Sequence, residues 1–408
     1  MPSSVTIVRM LTRLNIGGPA LHAAVLCNRL DARRYRTCLV IGRPDPSEGD
    51  LRGLIHDAAA QVVQIDSLRR DIRLWADLRS WLRLVTILQR TRPAIIHTHM
   101  AKAGTLGRLA GWWYNHWGAG RRKAHRAILI HTFHGHVLEG YFSPWKTRLF
   151  LAIERWLARR TDCLIAVSPT VKRELHALGI GSAAQWRVIP VGLALSHLAQ
   201  MPLPNGAAAL RFGLIGRLVP IKHPSLFLEV MERLARQPSL GQVQGLIVGD
   251  GPLRRSLEEE SQRRGLAPMV RFTGWQRDLP SVYGGIEVAC LTSQNEGTPV
   301  ALIEAMAAGR AVVATRVGGV PDLLEEDPES DGEVAPGTCR VTPRGILVGP
   351  GDAEGFARAL TMLVEDAPLR RRLGESARAY VAQRFDQDRL VRDIEALYEE
   401  LLKGTRDT

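Results

Sequence analysis

Two doubly wound α/β domains are the fold class this sequence predicts, and three observations predict it. The chain has 408 residues, more than a single hydrophobic core serves. Short apolar runs alternate with stretches of helical periodicity, and the alternation is completed twice. Many of the runs are apolar at consecutive positions, as parallel strands covered on both faces are.

In chain order, the first domain is expected to use strands Val5–Leu11, Thr37–Ile41, Val62–Ile65, Ala94–Thr98, Ala127–Thr132, Cys163–Val167 and Arg187–Ile189. The second uses Arg211–Ile215, Gln244–Val248, Val270–Thr273, Glu287–Leu291, Ala311–Thr315 and Ile346–Val348. Met201–Ala209 contains Pro202, Pro204, Asn205 and Gly206 without periodicity and reads as the linker, which places the domains at 1–200 and 207–385. A closing helix over about 386–408 is free to pack back on the first domain. Ligands of open α/β sheets lie beyond the carboxyl ends of the strands, so two such domains facing one another are expected to form a cleft.

A hydrophobic content of 45% with 23% charged residues is a globular composition. No run of 18 or more apolar residues is present, and the apolar start Val5–Leu11 is short for a secretory signal and broken by Arg9. The five cysteines are scattered without a C-x-x-C pair, which points to reduced, cytoplasmic residues and to neither disulfide nor metal. Residues 1–200 hold 29 Lys and Arg against 12 Asp and Glu, whereas the other 208 hold 25 against 29. The basic front half suits a polyanionic partner, a membrane surface or nucleic acid.

The densest chemistry lies in SQNEGTPVALIEAMAAG, 293–309. Glu296 and Glu304 flank a helix start in which Thr298 reads as the N-cap and Pro299 as the first helical residue. The amides of Gly297 and Thr298 would then face an anion at the positive helix end. Glu304 is the only charge in the run 300–308, and an apolar helix keeps such a charge when it has a partner. After strand Arg211–Ile215 come Gly216, Arg217 and, five positions on, Lys222, a cation pair suited to gripping a pyrophosphate. Gly249 and Gly251 follow the next strand, and Gly17 and Gly18 follow the first strand just ahead of Pro19 at a helix start. Plain tight turns account for these glycines as well as phosphate contacts do. His131, His134 and His136 end a strand at a spacing that matches no common zinc pattern, with no acidic residue before Glu139. His97 and His99 end the preceding strand in like manner, as acceptor-pocket lining or as satisfied core residues.

Taken in order, GRLVPIK, VGDGPL, FTGW, NEGTPVALIEAMAAGRAVVAT and VGGVPDLL resemble the nucleotide-binding domain of the family 4 glycosyltransferases. The resemblance covers nearly the whole second half. The first half is similar more weakly, through Gly17-Gly18, His134 and Ile189-Pro190-Val191-Gly192, where Val191 replaces the family's usual asparagine. The resemblance implies the GT-B architecture of two facing Rossmann-like domains. It also implies retention of configuration, no metal and no cofactor, with a nucleotide diphosphate sugar, UDP-linked by expectation, as donor substrate. By the same resemblance Arg217 and Lys222 bind the diphosphate and Glu304 binds the ribose hydroxyls. Glu296 and the amides of Gly297 and Thr298 hold the sugar. His134 contacts the sugar and supports its oxocarbenium character, and Gly18 approaches the phosphates from the opposite domain. Gly17, Gly216, Gly249, Gly251 and Pro299 complete the expected substrate-binding set.

For the acceptor, Trp112, Trp113, Tyr114 and Trp117 lie beside Arg121, Arg122, Lys123 and Arg126, the mixture found at membrane interfaces. A lipid-linked or other glycan acceptor at the inner face of the cell membrane suits Trp112–Arg126, and core or dimer packing of the rings is the competing reading. A nucleotide-sugar epimerase shares the two-domain fold but needs acid/base carboxylates in the cleft. A nucleic-acid-binding protein explains the charge but not the ordered motifs, and no recognition module is present.

Overall fold

The computed structural model describes residues 4–15, 17–43, 51–56, 60–135, 144–204, 210–237, 240–325 and 332–404. His136 and Glu139 lie outside them, as do 205–209 of the expected linker. The chain forms two compact units, 1–193 with 387–408, and 194–386. It leaves the first unit at Leu193 and not within 201–209, because the carbonyls of Met201 and Pro202 are already tied into the second unit by Arg378 and Arg310.

The first unit is built on β1 (Val5–Leu11), β2 (Tyr35–Gly42), β3 (Ala60–Ile65), β4 (Ile95–His99), β5 (Ile128–Phe133), β6 (Cys163–Ala166) and β7 (Trp186–Val188). They form one sheet in the order β3-β2-β1-β4-β5-β6-β7, and every pair is parallel. The crossovers are α1 (Gly18–Arg29), α2 (Leu74–Thr91), α3 (Ala101–Trp117), α4 (Pro144–Ala158) and α5 (Pro169–Ala177). Side chains alternate across the sheet, so Val8, Met10 and Ile96 pack under α2 and α3 while Ile7, Ile95 and Ile128 face the other way.

The second unit contains α6 (Ser196–Ala199), β8 (Leu210–Ile215), α7 (Pro224–Ala235), β9 (Val243–Val248), α8 (Arg254–Arg263), β10 (Val270–Gly274), α9 (Leu279–Gly284), β11 (Val288–Leu291), α10 (Val300–Ala307), β12 (Ala311–Thr315), α11 (Val320–Leu324), β13 (Cys339–Thr342), β14 (Gly345–Val348), α12 (Ala353–Glu365) and α13 (Ala367–Arg384). Its sheet runs β10-β9-β8-β11-β12-β14-β13. Only β13 is antiparallel, a hairpin partner of β14. This strand was absent from the sequence reading: it is short, lies at the sheet edge and leaves Val341 exposed, so it lacks the apolar run that marks its buried neighbours.

The final helix, α14 (Gln387–Gly404), belongs to the first unit. Leu390, Ile394, Leu397 and Tyr398 bury one face of it in the core with Ile7, Ile95 and Ile128. Arg29–Asp388, Arg34–Glu399 and Arg187–Glu400 flank that contact at 2.5–2.6 Å. These pairs are exposed and set register more than stability, while the apolar face supplies the energy. No helix among the described residues is long and apolar enough to cross a membrane.

Candidate functional site

In the second unit β8 and β11 are parallel neighbours, so the loops that follow them leave the same end of the sheet. They are bonded to one another. Thr292 Oγ1 donates to the Lys222 carbonyl at 2.8 Å, and Gln294 N donates to the Ile221 carbonyl at 2.8 Å. The Lys222 ammonium then meets Glu296 Oε1 at 2.5 Å, and Ser293 Oγ donates to the same oxygen at 2.6 Å. The Glu296 side chain is 8% exposed and that of Lys222 is 27% exposed, so this cation and hydroxyl stand in for water at the buried carboxylate. Lys222 therefore already has an anionic partner, Glu296, among the described residues. Arg217 is half-buried in the same loop, between Gly216 and Leu218.

Behind this pair the VGGVP segment has a definite task. Gly318 has φ +49°, and a Cβ there would stand 1.9 Å from the Glu296 carbonyl oxygen; Gly319 N donates to that oxygen at 3.1 Å. Only glycine closes the segment over the loop. Gly249 is constrained in the same manner: at φ +135° its Cβ would come within 1.9 Å of the Gly216 carbonyl. The packing of the two turns thus requires glycine at 249 whether or not a ligand is bound.

The helix start differs from the reading by one residue. Pro299, with ψ 103°, is the N-cap of α10 and accepts the first helical bond from Ile303 N at 3.2 Å, so Thr298 stands one place outside the cap. Proline has no N–H to orphan, and its carbonyl opens the helix without a side-chain cap. Gly297 and Thr298 form the half-buried approach to this helix end.

Glu304, one turn inside α10, has the partner its apolar surroundings demand: the Tyr283 hydroxyl, from α9, lies 2.8 Å from Oε2 and 3.1 Å from the Ala301 carbonyl. Tyrosine is neutral, so burial dominates and raises the Glu304 pKa to about 7, partly opposed by the tyrosine hydrogen bond. The carboxyl is poised to ionise near neutral pH.

In the first unit a polar cluster sits on the buried face of the sheet that α1 and α14 cover. Arg9 on β1 is in register with His97 on β4, and His99 follows on the same face two residues on. The Arg9 guanidinium donates to His97 Nδ1 at 3.1 Å, His99 Nε2 at 3.2 Å and the Tyr398 hydroxyl at 3.1 Å. His99 Nδ1 then lies 3.2 Å from Nε2 of His134. Burial holds both rings neutral, His134 at about 3 and His99 well below the usual histidine value. Arginine cannot accept, so the tautomers follow: His99 accepts at Nε2 and carries its proton at Nδ1, His134 accepts at Nε2, and Nδ1–H of His134 is left as a neutral donor. His22 of α1 packs edge-on against His134 at 5.0 Å between ring centroids.

The histidines that converge are thus His22, His99 and His134, with ligand atoms within 4.8 Å, and not His131 with His134. His131 points to the other face of the sheet, where its Nδ1 lies 2.8 Å from Thr98 Oγ1. Arg9 beside Nε2 favours the His99 tautomer that turns an N–H towards His134. His97 and His99 are fully buried and satisfied within the network, so they line no acceptor pocket. Gly17 caps α1 and Gly18 is its first residue, one position ahead of the expected start at Pro19.

Sequence reasoning missed His22, Tyr283 and Arg9. His22 is flanked on both sides by apolar residues of α1, the same signal that singled out Glu304. Arg9 was legible only as an interruption of an apolar run, and its register with His97 is set by the sheet.

Comparison with known proteins bears on both units. The family model described as "Glycosyl transferases group 1" matches residues 209–366, and "Glycosyl transferase 4-like domain" matches 17–192. The chain is 25% identical to the Escherichia coli UDP-Gal:alpha-D-GlcNAc-diphosphoundecaprenol alpha-1,3-galactosyltransferase over 84% of each chain. It is 24% identical to the putative glycosyltransferase EpsD of Bacillus subtilis over 79% of this chain and 80% of that one. Among solved structures, sucrose-phosphate synthase from Thermosynechococcus elongatus superposes with a TM-score of 0.78 at 22% identity, covering 98% of this chain and all of that one. Anabaena HepE, solved with UDP-glucose, superposes at 0.74 and 20% identity, covering 97% and 99%.

Proposed function

Because the chain belongs to the family 4 glycosyltransferases, which move a sugar from a nucleotide sugar to an acceptor, we propose that its donor is a UDP-sugar and its acceptor a lipid-linked glycan intermediate. We place the reaction at the inner face of the cell membrane, with retention of configuration and without a metal. The observation that carries this reading is the pairing of two glutamates around one helix start, buried Glu296 with Lys222 and half-buried Glu304 with Tyr283. A carboxylate held by a cation and a carboxyl held near its ionisation point are each suited to hydroxyls, of the sugar and of the ribose respectively. The relative from E. coli is named for a UDP-galactose donor and an undecaprenyl-diphosphate acceptor, which supports both halves of the proposal.

In this reading the bond from the anomeric carbon to the diphosphate breaks as the acceptor oxygen attacks the same face, and the acceptor proton passes to the departing phosphate oxygen. Arg217, Lys222 and the N-terminus of α10 meet the charge that grows on that phosphate. For His134 we propose contact with the sugar on the family resemblance; its Nδ1 is buried and has no hydrogen-bond partner among the described residues. A thermal-shift screen of UDP, GDP, ADP and TDP sugars tests the donor assignment: UDP-sugars are expected to raise Tm, and a response to another base alone would overturn it. Activity is expected to survive EDTA, because protein charges occupy the place a metal has in other transferases. Loss of activity restored by Mn²⁺ or Mg²⁺ would contradict the metal-free mechanism.

Tyr283→Phe is a finer probe. It removes the hydrogen bond that lowers the Glu304 pKa, so the carboxyl is expected to titrate above about 7. Donor binding then weakens severalfold at pH 7 and recovers by about pH 9, where the carboxylate is ionised again. A loss of equal size at both pH values would mean that Tyr283 acts only through packing.

A further inference from the structure

We infer that α2 is the element by which the protein docks on an anionic bilayer, an inference that rests on the membrane-borne acceptor just proposed. Helix α2 turns Ser80, Leu84 and Leu88 onto the sheet and Trp81 against Trp113. Its opposite side is apolar where solvent would favour charge. Leu74 is 82% exposed, Trp75 84%, Leu78 45% and Leu82 51%, and Ile72, just before the helix, is 64% exposed. At about 100° per residue, Leu74, Leu78, Leu82 and Trp75 share one arc, and exposed Arg79 and Arg83 form the arc beside it.

Scattered exposed leucines carry no meaning, but a contiguous apolar arc with tryptophan at its tip does. The charge around it selects the occupant. Residues 67–126 hold 13 Lys and Arg against Asp71 and Asp77. Asp77 is taken by Lys102 at 2.6 Å, so little acid faces the basic rim. A second copy of this surface would bring like charge against like charge, whereas an anionic bilayer offers both apolar depth and negative headgroups.

The stretch Trp112–Arg126, read from sequence as the contact, offers less. Tyr114 is fully buried, and Trp112 is half-buried against Trp156 and Trp117 with Arg160 lying over both Trp112 and Trp156. Trp117 is its exposed ring, at 58%, with Arg121, Arg122 and Lys123 exposed after it. Gln89 of α2 accepts from Ala119 N, so this end lies beside α2 and adds charge to the same side of the unit.

The test is co-sedimentation with vesicles of phosphatidylcholine, alone and with phosphatidylglycerol. The wild type is expected to sediment with the anionic vesicles only and to be released by salt, since surface attraction is screened over about 8–10 Å. Trp75→Ser with Leu78→Ser is expected to lower the partition at least about tenfold, as two apolar side chains leave the interface. Because both side chains are exposed, Tm and its rise with UDP-sugar should stay at wild-type values. Arg79→Gln with Arg83→Gln should lower binding to anionic vesicles about fivefold per charge. Equal binding to both vesicle types, no binding to either, or loss confined to an Arg121→Gln, Arg122→Gln, Lys123→Gln variant would overturn the assignment. So would a concentration-dependent dimer, seen by analytical ultracentrifugation, that the Trp75 and Leu78 changes abolish. Vesicle binding without any nucleotide-sugar response would instead sink the donor reading and leave the docking surface standing.

Discussion

Lys222→Ala is expected to lower turnover per donor bound at least about tenfold, the largest single effect on catalysis in this structure. Two losses coincide. On the proposed function the departing diphosphate loses a point charge, and Glu296, whose side chain is 8% exposed, keeps on Oε1, among the described residues, the Ser293 hydroxyl alone. Breaking a buried ion pair by removing one partner costs about 3 kcal/mol or more, here at the low end because the lysine is partly exposed. The two contributions separate in the double variant Lys222→Ala with Glu296→Gln, which removes both charges together. Its Tm should return towards wild type while kcat stays low. If the double variant regained activity as well, the lysine would serve only to neutralise Glu296. Kinetics with varied donor, alongside thermal denaturation of both variants, decide the matter.

Glu304→Gln is expected to act in opposite directions on stability and on binding. Burial places the carboxyl at about 7, above its ordinary 4.5, so the folded protein holds this proton more tightly than the unfolded chain does. Stability linked to this group is therefore full below about pH 4.5, declines as pH rises from there to about 7, and stays reduced above. Glutamine cannot ionise, so the variant should melt higher than wild type at pH 8 and alike at pH 4. The donor, by contrast, loses a charged acceptor for its ribose hydroxyls. Each such hydrogen bond is worth about 1.5–3 kcal/mol, which raises the donor KM roughly 10- to 100-fold with little change for the acceptor. A pH-independent Tm difference would overturn the raised pKa, and an unchanged donor KM would remove Glu304 from the binding role.

The strands were legible because parallel strands buried on both faces must be apolar throughout, and β1 and β12 have the limits that the runs Val5–Leu11 and Ala311–Thr315 indicate. β13 was not legible, since an edge strand of four residues has no such run. Glu304 announced itself as a lone charge in an apolar helix. Its partner Tyr283 could not be read, because α9 and α10 meet only through the fold. The Thr298 cap failed on a local competition: the carbonyl of Pro299 opens α10 in its place. In the first unit the spacing of His131 and His134 suggested one cluster, but strand alternation sends His131 to the opposite face. The contact that assembles Arg9, His97, His99 and His134 is a sheet register together with the return of α14, and no linear pattern encodes either.

The central claim, transfer of a sugar from a UDP-sugar with retention, is tested most directly by the anomeric configuration of the product. The protein is incubated with an α-linked UDP-sugar and a diphosphate-linked glycan acceptor, and the new linkage is read by proton NMR. An α-glycoside formed only when both substrates are present is the result the proposed function predicts. A β-glycoside, or conversion of the donor sugar in the absence of any acceptor, would contradict it.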